Sequence, residues 1–402
     1  MINIDFQNEC CGCSACAQIC PRSCISMTEN SEGFLIPKID LKKCSNCNLC
    51  EQVCPVFNEE TEVVNDDNIP QNVFAAYSKN EDIRIQSSSG GIFSLLAEYT
   101  INKGGIVFGA RLSDDCKSVY HCMLENADDI SLFRGSKYVQ SDIKCTYKSV
   151  KEHLENGRFV LFSGTPCQIG GLVLFLQKKY EKLLLIDFIC HGVPSPKVFR
   201  KYIEYVESKY SSPRKIYFRD KTSGWSDYSL CIDYYNGKKY IEPLSKNLYG
   251  TVFLSDLCLR KSCYKCKFRK SSHKSDMTIC DFWGVDESVP EMNDNKGISA
   301  VIVNSVNGEK VFNDIKGDII YKRVDFYDIE RHNAVLKQPV IHKNRERFYK
   351  KLDTVDFEKN VKKNISRHSI LIRVPYKAVK VCFKAILGDE SFEKLKMRIK
   401  KL

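Results

Sequence analysis

Between Arg158 and Tyr210 the chain changes its hydrophobic period three times. Residues 159–164 (FVLFSG) form a short unbroken apolar run, read as a buried strand, and residues 169–180 (IGGLVLFLQKKY) continue with helical spacing. Residues 183–190 (LLLIDFIC) are a second apolar run, followed by the amphipathic segment 197–210 (KVFRKYIEYVESKY). Strand, helix, strand and helix joined by short turns make a βαβ unit, which requires parallel strands. Residues 216–219 and 230–235 add further strands. Apolar and amphipathic runs alternate from Val73 to about Asp353, so the pattern predicts an α/β body with a partly parallel sheet over residues 73–353. Residues 58–72 (NEETEVVNDDNIPQN) are acidic, aperiodic and contain Pro70, which reads as a linker. Within residues 1–57, ISM and FLIPKI flank the turn-rich TENSEG, predicting a hairpin in a small α+β domain.

Composition changes the picture at both ends. Of 402 residues, 21 are cysteine, and ten of these fall in the first 54. Such density marks a disulfide scaffold or a metal site. Residues 1–9 (MINIDFQNE) lack the basic start and apolar run of an export signal. The expectation is therefore thiolate ligands in a cytoplasmic protein rather than disulfides. Apolar runs such as residues 183–190 fall far short of the ~20 residues of a membrane span. The net charge of +11 is almost all in the tail, since from Lys359 onward there are 13 Lys+Arg against 3 Asp+Glu. The body is near neutral, which argues against a nucleic-acid partner. Residues 354–402 read as a basic amphipathic tail, with Lys377, Lys380 and Lys384 on one helical face. Such a tail suits peripheral contact with the inner membrane face, or packing back onto the body with its basic face solvated.

The cysteines of the head carry the clearest chemistry. Cys10, Cys13, Cys16 and Cys20 are spaced C-x2-C-x2-C-x3-C with Pro21 following. Cys44, Cys47, Cys50 and Cys54 repeat the spacing with Pro55. In the two-cluster bacterial ferredoxin pattern, the fourth cysteine of each run serves the other cluster. One 4Fe-4S cluster is therefore expected on Cys10, Cys13, Cys16 and Cys54, and a second on Cys44, Cys47, Cys50 and Cys20. A pair of zinc knuckles is the bland alternative, but zinc sites normally use four ligands of their own rather than an interlocked eight. Cys11 and Cys24 fall outside the ligand register and read as packing residues.

In the body, Cys167 follows the first strand in SGTPCQ and Cys190 ends the second. Both are expected at the carboxyl edge of the parallel strands, where open α/β sheets bind ligands. Cys263 and Cys266 form a C-x2-C before DFWG, and two converging pairs would make a third four-cysteine site. Cys258, Cys263, Cys266 and Cys280 form a rival set, for a plant-type 2Fe-2S cluster or zinc. No G-x-G-x-x-G and no P-loop is present.

The segments SSSGGIFS (87–94), GSKYVQSD (135–142), LFSGTPCQIGGL (161–172), ICHGVPSP (189–196), FRDKTSGW (218–225) and SCYKC...DFWG, in this order, resemble the coenzyme F420 hydrogenase/dehydrogenase beta-subunit family with its fused ferredoxin head. The resemblance favours Cys167, Cys190, Cys263 and Cys266 as ligands of a third 4Fe-4S cluster. It also implies a bound FAD; coenzyme F420 is possible but not implied. Ser89, Gly90, Gly91, Ser136, Lys137, Gly164, Thr165, Pro166 and Gln168 are then the flavin-site candidates. Glycines before a helix let N–H groups approach a phosphate, although an ordinary helix start looks the same. Lys137 could offset charge on a flavin, and His191 could move a proton, unless it merely shapes its turn. Arg219, Lys221 and Trp225 suit a flat anionic substrate or a solvated turn. The implied activity is an iron–sulfur flavin-dependent oxidoreductase acting on a small molecule with a redox partner protein. The alternative is a non-catalytic subunit that relays electrons from ferredoxin to a separate catalytic partner.

Overall fold

A computed structural model describes residue 2 and residues 4–58, 72–269 and 274–365. Most of the predicted linker and the tail beyond residue 365 lie outside the described residues, as do the helical faces read around Lys380.

The head opens with the hairpin β1 (Ile25–Glu29) and β2 (Leu35–Ile39), paired antiparallel across the predicted turn. Two short helices, Ala15–Ile19 and Leu49–Gln52, each follow one cysteine loop. The body is built on an eight-stranded sheet. Its strands are β3 (Asn72–Ser78), β4 (Ile106–Leu112), β5 (Val119–Leu124), β6 (Val160–Ser163), β7 (Leu183–Phe188), β11 (Met277–Asp281), β12 (Ser299–Val303) and β13 (Ile319–Arg323). A separate antiparallel sheet holds β8 (Pro213–Asp220), β9 (Ser229–Tyr234) and β10 (Lys239–Pro243). The large sheet runs β13-β3-β12-β11-β7-β6-β4-β5.

The βαβ unit sits at the centre of this order. Strands β4, β6, β7 and β11 are mutually parallel neighbours, with Val160 opposite Leu183 and Met277 opposite Ile186. Strands β5, β12, β3 and β13 add antiparallel edges. The sheet is thus α/β and partly parallel. β7 stops at Phe188, two residues earlier than the apolar run suggests, so Cys190 stands just beyond its strand.

The helix Pro166–Leu176 crosses between β6 and β7. Pro166 occupies its first position, and the Gln168 side chain accepts from the Thr165 N–H at 2.9 Å. The helix is apolar all round because it is covered on both sides. A Cβ at Gly171 would lie 2.9 Å from the Cys13 sulfur, and one at Gly170 would lie 3.4 Å from Pro55 Cβ. The two glycines therefore let the head approach the body's central helix closely.

Two arginines bind head to body. Arg260 is buried and donates from Nε to the Cys10 carbonyl (2.6 Å), from Nη2 to the Leu35 carbonyl (2.9 Å) and from Nη1 to Gln140 Oε1 (2.9 Å). Arg345 forms a buried two-pronged ion pair with Glu32 at the hairpin tip, at 2.5 and 2.6 Å. The head thus lies on a fixed footing. The segment read as the start of the tail also packs, with the helix Phe357–Asn364 burying Phe357 and Val361 against the helix Pro196–Lys209 side of the core. Among the described residues, no helix is long and apolar enough to cross a membrane.

Arg260→Met removes three hydrogen bonds of a buried guanidinium, two of them to the head. Anaerobic urea unfolding is expected to show a loss of about 3 kcal/mol or more. Arg200→Met breaks only the half-exposed pair with Glu29 and is expected to cost less than about 1 kcal/mol.

Candidate functional site

The two head loops repeat in conformation as well as in spacing. Gly12 and Ser14 in the first loop have φ of 74° and 63°, and Asn46 and Asn48 at the matching places in the second have 52° and 58°. Left-handed residues at alternate positions curl each loop so that its cysteines and amides face inward. The same register gives the same amide-to-sulfur bond: Gly12 N–H to Cys10 Sγ at 3.3 Å, and Asn46 N–H to Cys44 Sγ at 3.5 Å.

Cys20 of the first run stands with cysteines of the second. A cavity of about 20 Å3 is lined by Cys44, Cys47 and Cys50 together with Cys20 from the other run. Ile25 and Ile39 of the hairpin cover its side. Cys24 lines the same space, its sulfur 3.3 Å from that of Cys20. The hydrogen bond with Cys20, aided by burial, pushes the Cys24 thiol up to about 11. Elsewhere in the head, the charges of Cys10, Cys54 and Cys50 bear on Cys16, and those of Cys16 and Cys54 on Cys13. Burial raises the Cys16 and Cys54 thiols, so ionising them there needs a compensating positive centre. Cys47 is exposed whereas Cys13, Cys16 and Cys54 are buried.

The body holds a third sulfur-lined space. Just after β7, residues 190–195 run beside the segment 258–263. Pro194 bridges Leu259, Arg260 N–H donates to the Val193 carbonyl at 3.0 Å, and Ser195 N–H to the Cys258 carbonyl at 3.0 Å. Gly192, with φ of 131°, leaves room for Cys263, whose Cβ lies 3.2 Å from where a Gly192 Cβ would sit. Val193 N–H points at Cys263 Sγ at 3.5 Å. The result is a cavity of about 290 Å3 whose walls include Cys167, Cys190, Cys263, Cys266 and, from the head, Cys11. Burial raises the Cys190 thiol strongly and the Cys263 thiol to about 12. The Cys167 thiol is raised first by its hydrogen bond with Cys11 and then by burial.

The rival set is not brought together. Cys258 is fully buried in a different core, beside Phe348 and Leu352, and Cys280 sits on β11 opposite Ala300. Neither lines the cavity. Among the described residues, no three or more His, Cys, Asp or Glu are set to hold a single metal ion. The thiols surround a space instead of meeting at a point, which suits a cluster better than zinc.

His191 lies next to Cys190, yet it is absent from the cavity wall. Its Nε2 pairs with Asp256 Oδ1 at 2.6 Å, and its ring stands edge-on to Phe253. The flavin candidates all lie at the carboxyl edge of the parallel strands, and two of their loops meet: Ser136 N–H donates to Ser88 Oγ at 2.7 Å. Several of the donors are already used. Gly90 N–H bonds Ser299 Oγ at 3.0 Å, and a Cβ there would lie 2.4 Å from the Ala76 carbonyl, so this glycine serves contact with β3 and β12. Ser89 Oγ donates to the Ile298 carbonyl at 2.7 Å. The Lys137 ammonium donates to the Phe133 and Arg134 carbonyls, and burial lowers its pKa to about 7. The Gly164 N–H donates to Ile186 O at 3.1 Å, and Gln168 Nε2 to Ser141 Oγ at 3.0 Å. Thr165 and Pro166 line the sulfur cavity. Gly91, φ 89°, starts the helix Ile92–Asn102.

The three residues read for a flat anionic substrate are internal. Arg219 ion-pairs with Asp281, which also accepts from Trp225 Nε1 at 3.0 Å. Trp225 is buried and stacks on Trp283 at 4.7 Å. Lys221 gathers the carbonyls of Arg84, Ser89 and Lys296. Sequence reasoning missed Cys11, Gln140, Asp256 and Arg260 as parts of the site. Only Cys11 left a signal, the doubled cysteine in ECCGC.

Comparison with known proteins agrees with this division. Residues 157–326 match the family described as the C terminus of the Coenzyme F420 hydrogenase/dehydrogenase beta subunit, and residues 9–58 match the 4Fe-4S dicluster domain. Over 96 residues the chain is 29% identical to a coenzyme F420-dependent sulfite reductase of Methanocaldococcus jannaschii, covering 24% of this chain and 14% of that protein. The match therefore spans about one-seventh of that relative's length. Among solved structures, a chain of the xenon-derivatised F420-reducing NiFe hydrogenase complex from Methanosarcina barkeri overlays 72% of this chain and 90% of its own length, at 16% identity and a TM-score of 0.44. Residues 157–326 of this chain thus match the C-terminal domain of the coenzyme F420 hydrogenase/dehydrogenase beta subunit, and residues 9–58 ahead of them match a 4Fe-4S dicluster domain.

Proposed function

We propose that this chain is an iron–sulfur oxidoreductase component that moves electrons between a partner at the head and a third 4Fe-4S site on Cys167, Cys190, Cys263 and Cys266. One observation carries the reading. Four cysteines from three separate segments meet around one cavity, directly against the ferredoxin-type loop of the head. The donor set fits: four thiols, all with raised pKa from burial or thiol neighbours, are poor isolated groups but good ligands for cationic iron. Clusters bound at these places supply one-electron redox chemistry.

The chain's own residues supply the rest. The exposed Cys47 loop offers a surface contact for a redox partner such as ferredoxin. The Gly12, Asn46 and Val193 amides donate to ligand sulfurs, a recognised lever on cluster potential. Arg260 and Arg345 fix the spacing between head and body. The matched family is described by a beta subunit, which favours a relay that serves a larger catalytic assembly.

A second reading adds FAD and a small-molecule substrate within this chain. It is favoured by the meeting of the 87–91 and 135–142 loops at the carboxyl edge of the sheet, where α/β folds take ligands. The commitments of Gly90 and Lys137 inside the protein weigh against those two as direct flavin contacts. Ser136, Gly91 and the Gly164–Gln168 turn would form the remaining frame.

Anaerobically purified protein is expected to hold about 12 iron per chain. Cys263→Ala and Cys167→Ala are expected to fall to about 8, while Cys258→Ala stays at about 12. About 8 iron in the unmodified chain would overturn the third site. Flavin released by acid and quantified by fluorescence tests the second reading: about one FAD per chain is the expected outcome of that reading, and none leaves the relay alone.

A further inference from the structure

Charge is sorted across the head. Residues 1–57 carry six Asp+Glu and four Lys+Arg. Four of the acids face the body: Asp5 and Glu9 line the body cavity, while Glu29 and Glu32 pair with Arg200 and Arg345. Three of the four cations, Arg22, Lys42 and Lys43, stand instead at the outer cysteine loop. Arg22 lines the cavity of Cys44, Cys47 and Cys50, and Lys42 and Lys43 lead directly into Cys44. All three are exposed. Lys43 reaches Asp40 at 3.6 Å with both side chains in solvent, whereas Arg22 and Lys42 have no ion pair among the described residues. Asp40 also accepts from the Lys42 N–H at 3.1 Å within its own turn. Residues 40–48 are exposed at every position except the half-buried Cys44, and Leu41 in this run is 67% exposed.

None of these three cations joins the head to the body, a task done by Arg260 and Arg345. A cubane on four thiolates is an anion, because its ligands outweigh the charge of its core. At an uncovered surface it repels an anionic carrier that must come close to exchange an electron, and flanking cations reverse that repulsion. We propose that Arg22, Leu41, Lys42 and Lys43 form the docking face for a small acidic one-electron carrier protein. Leu41 is the apolar contact at its centre and the three cations are its charged rim. The inference rests on the head partner of the reading above and gives that partner a chemistry. Carboxylates of the carrier meet the cations. One electron then passes between the carrier's redox centre and the cluster on Cys20, Cys44, Cys47 and Cys50, one being oxidised as the other is reduced, and no bond changes.

The test uses the full-length, anaerobically purified protein, with a two-cluster bacterial ferredoxin as the acidic probe and cytochrome c as a basic one-electron carrier. Binding is measured by calorimetry on the oxidised proteins. Carbodiimide coupling of lysine amines to probe carboxylates, read by mass spectrometry, locates the contact. The ferredoxin is expected to bind with an affinity that falls about tenfold or more between low salt and ~0.2 M, and to couple through Lys42 or Lys43. Lys42→Glu combined with Lys43→Glu is expected to weaken binding about tenfold or more with iron content unchanged. Lys377→Glu combined with Lys380→Glu, an equal change of charge in the tail, is expected to have little effect. Cytochrome c is expected not to bind. Ferredoxin that fails to bind at low salt, coupling confined to other lysines, equal loss from the two double variants, or cytochrome c binding as tightly as ferredoxin each overturns the docking face. An iron content of about 8 in the unmodified chain instead overturns the third site and leaves the docking face standing.

Discussion

The Arg260 guanidinium is the contact on which the rest of the arrangement depends. It is buried and bonds the first cysteine loop, the hairpin and Gln140 of the body at once. Without it the first cysteine loop and the hairpin would lose their shared anchor on the body. Burying a cation is costly unless every donor finds an acceptor. Here three carbonyl-type oxygens from three segments provide them, and the buried Arg345–Glu32 pair adds a second attachment at the hairpin tip. Head and body are consequently packed as one unit.

The head's two loops share a backbone plan but not an environment. Left-handed residues recur at the same register, and the same amide-to-sulfur bond follows from them. One loop packs against Gly171 of the helix Pro166–Leu176, while the other presents Cys47 to solvent. Equal chemistry in unequal surroundings makes the two ends of the head differ, with one facing solvent and the other facing the body.

Much of this is legible in the sequence because it is local. The βαβ unit, the head hairpin and the eight-cysteine spacing each depend on residues close together in the chain. Placing Cys167 and Cys190 at one edge needs only that β6 and β7 be parallel neighbours, which they are. The rest is hidden because it is long-range. Nothing near β3 announces that it inserts between β12 and β13, far later in the chain. Arg219, Lys221 and Trp225 look available in the sequence because their partners, Asp281, Ser89 and Trp283, lie in distant segments. Lys137 looks like a free cation, although its acceptors are the carbonyls of its own turn, which no sequence pattern marks as turned towards it. Cys11 breaks the spacing and so reads as packing, yet it lines one cavity with Cys167, more than 150 residues later.

The exposure of Cys47 has a consequence for damage. Sulfur oxidation follows accessibility, so dioxygen and peroxide meet the outer cubane before the inner one. Injury in air would begin at the doorway and leave the interior iron for last. A chain caught part-way through that decay would still be coloured and folded.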